Sequence, residues 1–336
     1  MTFEGNAHFN PCIAEQSSLW ISQTLLASLI EIHQQIQSHA KMAECAGALN
    51  HLITRVNTAL SDKQFLSPLL YAGYYHCVYL LEQGDLDHCV QLLEDLPCGM
   101  SQQIVVNGTL GFCHSDMHRS LMQNCLYSET QEPYWSECNA HEFQQAQIKI
   151  SAIIALIQNT NSNFYHEFQA LVTTIVISKP SSQRFRFDGA SSYHLWGLMM
   201  LAWDNNKSDL EWIETLAHES SHIYLFGLTQ DQVLLEEDNS GKTYSSPLRM
   251  DKRPLEGIYH ATYVSAKMYF AVNHYRDSNS TLFKLEEIDR LTSASLKAFN
   301  DGYQTIMQHA QLTELGKTIL QDCKVALDFE SQTTRI

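Results

Sequence analysis

Leu216-Ala217-His218-Glu219-Ser220-Ser221-His222-Ile223-Tyr224-Leu225 reads as one helix, and the class of fold is worked out from it. Trp212, Ile213, Leu216, Ile223 and Leu225 give an apolar background, and neither Gly nor Pro interrupts residues 209–226. On a helix, residues four apart stand one above the other on one face. His218 and His222 therefore aim two imidazoles at one point, with Glu219 turned about 100° from His218. This is the HExxH pattern, in which two histidines hold a metal ion and the glutamate reaches a water or neighbouring group beside it. A histidine pair that only packs, or faces solvent, is the plainer reading of the same spacing.

At 336 residues the chain can bury a large core, as one domain or two. Its 44% hydrophobic content is that of a globular protein, and 17% charged is low. A net charge of −16, from 21 Lys and Arg against 37 Asp and Glu, argues against nucleic acid or an anionic membrane as the main partner. Met1-Thr2-Phe3-Glu4-Gly5-Asn6 has no basic start leading into an apolar core, so no signal peptide is expected. The best apolar run, residues 195–203, is too short to span a membrane. A cytoplasmic location is expected. Nine cysteines, an odd number with no CxxC pair, suit reduced thiols rather than a disulfide framework.

Residues 1–13 read as a loose arm, and 13–60 carry helical apolar spacing. Residues 65–96 read as a helical hairpin broken at Gln83-Gly84-Asp85, with no second copy at a fixed period. In the irregular stretch 97–140, Ile104, Val105 and Val106 with Leu110 and Phe112 suggest a short β-hairpin. His114 and His118 there lack an intervening Glu and read as packing or surface residues. Residues 142–158 read as a helix, 164–177 as a further apolar segment, and 178–182 as a turn. That turn divides a helical N-terminal region, 1–180, from an HExxH metal-binding region, 181–336, unless the two form one continuous domain.

Residues 192–201 read as a strand ahead of the metal helix, either a sheet edge that pairs with an extended peptide or a plain core segment. A polar loop over 229–253 leads to Pro254, suited to the first position of a new helix over 255–274. Another helix is expected over 282–318, with a frayed tail from Phe329. The expected fold is mainly α-helical with a small β component (α+β). A doubly wound sheet is not expected, since no βαβ alternation or glycine-rich phosphate loop is visible.

Two histidines do not complete a metal site. Leu225 and Leu228 stand where a metzincin needs Gly and His, which excludes that class. Glu236, Glu237, Glu256 and His260 remain. The run Glu236-Glu237-Asp238 reads as a solvated face. Glu256 would give a two-His-one-Glu set, but a carboxylate in a first helical turn is also favoured by the helix N-terminus alone. His260, one turn further in among Ile258, Ala261 and Val264, is preferred as third ligand, with Glu256 as the alternative.

The stretch Tyr244-Ser245-Ser246-Pro247-Leu248-Arg249-Met250-Asp251-Lys252-Arg253-Pro254-Leu255-Glu256-Gly257-Ile258-Tyr259-His260-Ala261-Thr262-Tyr263-Val264 follows the HExxH helix. Together they resemble the HExxH-domain proteins of bacterial peptide natural-product clusters: HExxH, a variable loop, then Arg-Pro-Leu-x-Gly with His on the next helix. The resemblance covers residues 188–272, about a quarter of the chain. It implies an iron(II) and 2-oxoglutarate enzyme that hydroxylates a side-chain β-carbon in a ribosomally made precursor peptide.

Such a reaction needs three ligands on one side of the iron and open positions for the oxoacid and O₂. His218, His222 and His260 would be the ligands; Glu256 in place of His260 would restore the usual carboxylate. The far carboxylate of 2-oxoglutarate calls for a bidentate arginine, for which Arg253 and Arg249 stand ready, with Ser245 and Ser246 as hydroxyl donors. The plainer reading of both arginines is a solvated loop offsetting the acidic run. Glu219 would orient a ligand or water. Two further readings stay open. HExxH alone suits a zinc peptidase with Glu219 as general base, and the helical N-terminal region suits a non-enzymatic peptide-binding module.

Overall fold

The computed structural model describes residues 7–126, 135–181, 188–236, 241–249, 251–276 and 282–333, without the side chains of 331–333. Glu237, Asp238 and Met250 lie outside the described residues. Among the described residues helix makes up 68% and strand 10%, so the protein is mainly α-helical with a small β component.

The first eight helices are α1 (Pro11–Ile36), α2 (Ala43–Ser61), α3 (Pro68–Gln83), α4 (Leu86–Asp95), α5 (Thr109–Phe112), α6 (Asp116–Leu126), α7 (Ala140–Thr160) and α8 (Ser162–Leu171). After them come α9 (Asp209–Thr229), α10 (Leu255–Asn273), α11 (Leu285–His309) and α12 (Glu314–Thr333). The strands are β1 (Phe65–Leu66), β2 (Gly99–Met100), β3 (Val105–Gly108), β4 (Trp135–Ser136), β5 (Thr174–Pro180), β6 (Gly189–Ser191), β7 (Leu198–Ala202), β8 (Tyr244–Ser245) and β9 (Lys252–Arg253).

Contacts divide the chain into two compact units, each discontinuous in sequence. One comprises Met1–Ala14, Ala152–Phe168 and Asn206–Ile336; the other comprises Glu15–Ser151 and Gln169–Asn205. The sequence instead places a single boundary at residue 180. The turn that suggested it is partly strand: β5 runs through Pro180, where it pairs with Trp135.

In the second unit the sheet order is β3-β5-β7-β6, with β4 also on β5. β3, β5 and β7 are parallel, and β6 is antiparallel to β7. The hairpin expected from Ile104 to Phe112 does not form, and of the two readings of residues 192–201 the core segment fits. Val105–Gly108 pairs in parallel with β5 across a long helical crossover, while Leu110 and Phe112 fall in α5 rather than in the second arm of a hairpin. Short apolar alternation suits a parallel strand as well as a hairpin, and the partner is too distant in sequence to be read. β7 is buried throughout and bonded on both sides, so it offers no edge for an added peptide strand. Just before it, Gly197 has φ 88°, and a Cβ there would lie 2.9 Å from Thr173 Oγ1. Only glycine suits that position.

In the first unit α9, α10, α11 and α12 pack together. α10 is buried over most of its length, as a helix apolar on every side must be. Gly302 lets α11 approach it closely: a Cβ there would lie 2.0 Å from Thr262 Oγ1. The single helix expected over 282–318 is broken between α11 and α12. The Leu235–Leu312 bridge and the Thr313 N–H to Leu234 carbonyl bond use the backbone there for pairing. The tail is not frayed at Phe329: α12 continues to Thr333, with Ile319, Cys323 and Leu327 buried at helical spacing. Residues 7–10, expected to be loose, are held by Ala7 in the core and the Asn10 N–H on Glu167. The polar loop contains the antiparallel pair β8–β9. No helix among the described residues is long and apolar enough to cross a membrane.

Candidate metal centre

Ser208 starts α9 with a capping box. Its hydroxyl accepts the Glu211 N–H at 3.1 Å, and the Glu211 carboxylate accepts the Ser208 N–H at 3.0 Å. Helical spacing then places His218 above His222, and α10 runs antiparallel alongside. His218 Nε2 lies 3.2 Å from His222 Nε2, and His222 Nδ1 lies 3.4 Å from His260 Nδ1. His218 Nδ1 faces Met268 Sδ at 3.3 Å, and Phe226 packs on the His260 ring. The three sequence-predicted imidazoles therefore meet, but in a row with His222 in the middle.

Two nitrogens on one ion, with bonds near 2.1 Å, stand about 3.0–3.4 Å apart. Both pairs have that separation. They use opposite nitrogens of His222, however, so one ion cannot take all three rings as they are oriented. Among the described residues, no three His, Cys, Asp or Glu side chains are grouped around one metal position. The residues thus fit an ion held by His218 and His222 through Nε2, while His260 stands against the other nitrogen of His222. The protonation of the row is compatible with metal binding. Burial first, then the two imidazoles and the charge of Arg249, push His222 well below the usual histidine range. Burial holds His260 at about 4. Both rings are therefore neutral near pH 7, the state in which imidazole donates a lone pair to a metal.

Glu219 is buried, with Oε1 3.8 Å from His218 Nε2. Glu256 is exposed in the first turn of α10, the place of a carboxylate favoured by the helix terminus. Glu236 is also exposed. Arg253 Nε is 2.7 Å from Asp251 Oδ2, so its charge is engaged locally. Gly257 gives Arg253 room, since a Cβ there would come within 3.3 Å of Arg253 Cβ. Arg249 is exposed, and its charge reaches His222. Ser246 Oγ accepts the Leu248 and Arg249 N–H groups at 3.4 and 3.2 Å, which shapes the turn carrying Arg249. Ser245 is exposed in β8. His118 is buried against Asp95, its Nε2 3.1 Å from Oδ2, and so packs as read.

Sequence reading missed Met268 and Glu214. Met268, eight residues beyond His260 on α10, carries no signal that separates it from a core methionine. Glu214 is four residues before His218, so helical spacing puts it on the imidazole face. Its carboxylate accepts the Ser295 hydroxyl at 3.1 Å, and burial raises it to about 7. Compared with known proteins, the chain matches no family model and no curated protein.

Proposed function

We propose that this chain is a cytoplasmic iron(II) and 2-oxoglutarate-dependent hydroxylase acting on a side-chain β-carbon of a ribosomally synthesised precursor peptide. The observation that carries the reading is the histidine pair at metal-ligand spacing, with the exposed Arg249 near enough for its charge to lower the proton affinity of His222. A dicarboxylate co-substrate needs a cation in that place. Iron(II) and 2-oxoglutarate bound there would insert one oxygen atom from O₂ into a C–H bond, with succinate and CO₂ as the other products.

His218 and His222 would hold the ion, with His260 as third ligand if its ring turned towards them. Arg249 would pair with the far carboxylate of the oxoacid, while Ser246 keeps the turn that presents it. Arg253 steadies the same loop through Asp251. Glu219, buried with its carboxylate 3.8 Å from His218 Nε2, would orient a water on the ion. One observation favours a second reading. Glu219 Oε1 stands 3.8 Å from His218 Nε2, where the general base of a zinc peptidase would stand.

Protein loaded with iron(II) under anaerobic conditions, given 2-oxoglutarate and then air, tests the choice. Succinate formation that requires both iron and O₂ is expected. Zinc-dependent cleavage of peptides with no succinate would transfer the site to the hydrolytic reading. Neither reaction, with peptide still bound, would leave a binding module.

A further inference from the structure

In the unit that carries the sheet, α3 shows a stripe of rings on its outer face. Tyr75, Tyr79 and Glu82 fall at i, i+4 and i+7, one line along a helix. Tyr75 is 38% and Tyr79 53% exposed, and Glu82 is exposed beside them. The His76 and Tyr79 rings lie 5.9 Å apart with planes only 15° from parallel. Tyr75 packs on His194 at 4.2 Å, which fixes that end of the stripe.

The one charge that α3 itself carries is acidic. Burial lowers the proton affinity of both His76 and His194, so both are neutral near pH 7. α3 contains no Lys or Arg, and Glu82 is its single charged side chain. Ring faces are themselves electron-rich, and the chain carries a net charge of −16. An acidic or phosphorylated partner would be repelled here. Near-parallel rings with a carboxylate one turn away suit a planar cation, which stacks on the faces and pairs at its edge.

We propose that the Tyr75–Tyr79–Glu82 stripe is a docking surface for an arginine-bearing peptide segment, whose guanidinium stacks on Tyr79 and His76 and pairs with Glu82. The proposal requires no metal and stands apart from the reading of the histidine row. Tyrosine exposed in this way is also the residue type that carries much of the energy of protein interfaces.

The test is fluorescence anisotropy on the full chain in EDTA, with a labelled hexapeptide of alternating glycine and arginine as probe. Wild-type protein is expected to bind it. Tyr79→Ala and Glu82→Gln should each weaken binding about 5- to 30-fold, the range of a desolvated cation–π contact or charge pair. Tyr79→Phe keeps the ring and should keep the affinity. The same peptide with citrulline for arginine, flat but uncharged, should bind at least about tenfold more weakly. Tyr79→Ala leaves net charge unchanged, so wild-type affinity in that variant would show only diffuse attraction and overturn the proposal. Equal binding of the citrulline peptide, or tighter binding of a proline-rich one, would overturn it too.

Discussion

The ammonium of Lys267 lies 2.8 Å from the carboxylate of Glu167, and both side chains are wholly buried. Lys267 sits between the Phe9 and Tyr224 rings, 4.4 Å from each centroid, and donates to the His8 carbonyl at 3.2 Å. Glu167 accepts the Asn10 N–H at 2.6 Å. The pair thus anchors residues 8–10, and the cost of breaking it is that of a lone buried charge. Lys267→Met is expected to lose about 3–5 kcal/mol of stability, and Lys267→Met with Glu167→Leu much less. Urea unfolding measures both. Exchange of the Asn10 amide should speed up in the single variant.

Glu214 gives a pH dependence with a definite sign. Burial raises its carboxyl to about 7 against Ser295, Arg290 and Lys207, which favour the charged form. A carboxyl raised on folding contributes stability that is fully present below its unfolded value and lost as pH rises through the folded one. Wild-type stability relative to Glu214→Gln should therefore fall between about pH 4.5 and 7, by an order of 2–3 kcal/mol. Paired urea titrations across that window show the slope, and parallel lines would remove Glu214 as its source.

The two arginines separate by their partners. Arg253 is occupied by Asp251, whereas the charge of Arg249 bears on His222. Arg249→Ala should weaken 2-oxoglutarate binding to the iron(II)-loaded protein by about 10- to 100-fold, as loss of a charge-assisted bidentate pair does. Arg253→Ala should weaken it far less. Anaerobic difference absorption of the iron–oxoacid complex reads both, and a larger effect at Arg253 would reverse the assignment.

What the sequence conveys and what it withholds follow from the range of each interaction. The start of α9 is legible because its capping box is local, and Pro254 marks the start of α10 for the same reason; the end of α9 is not, since the helix runs on through Gly227 to Thr229. Ser208-x-x-Glu211 is itself a written signal. The parallel pairing of β3 with β5 and the break between α11 and α12 depend on partners far along the chain, at Thr174 and Leu235, and no local pattern encodes them. At the site, helical spacing brings His218 to His222 and the motif after Pro254 brings His260 close. Ring orientation is a matter of packing against Met268 and Phe226. That packing produces a row where spacing alone suggests a cluster.

The central claim is that the α9 histidine pair binds a metal ion. The most direct measurement is an anaerobic titration with cobalt(II), a spectroscopic substitute for iron(II), followed by the ligand-field bands of wild type and of His218→Ala, His222→Ala and His260→Ala. One ion per chain is expected, abolished by either α9 substitution and bound more weakly without His260. Wild-type protein that takes up no cobalt, or that keeps the same bands in His222→Ala, would contradict it.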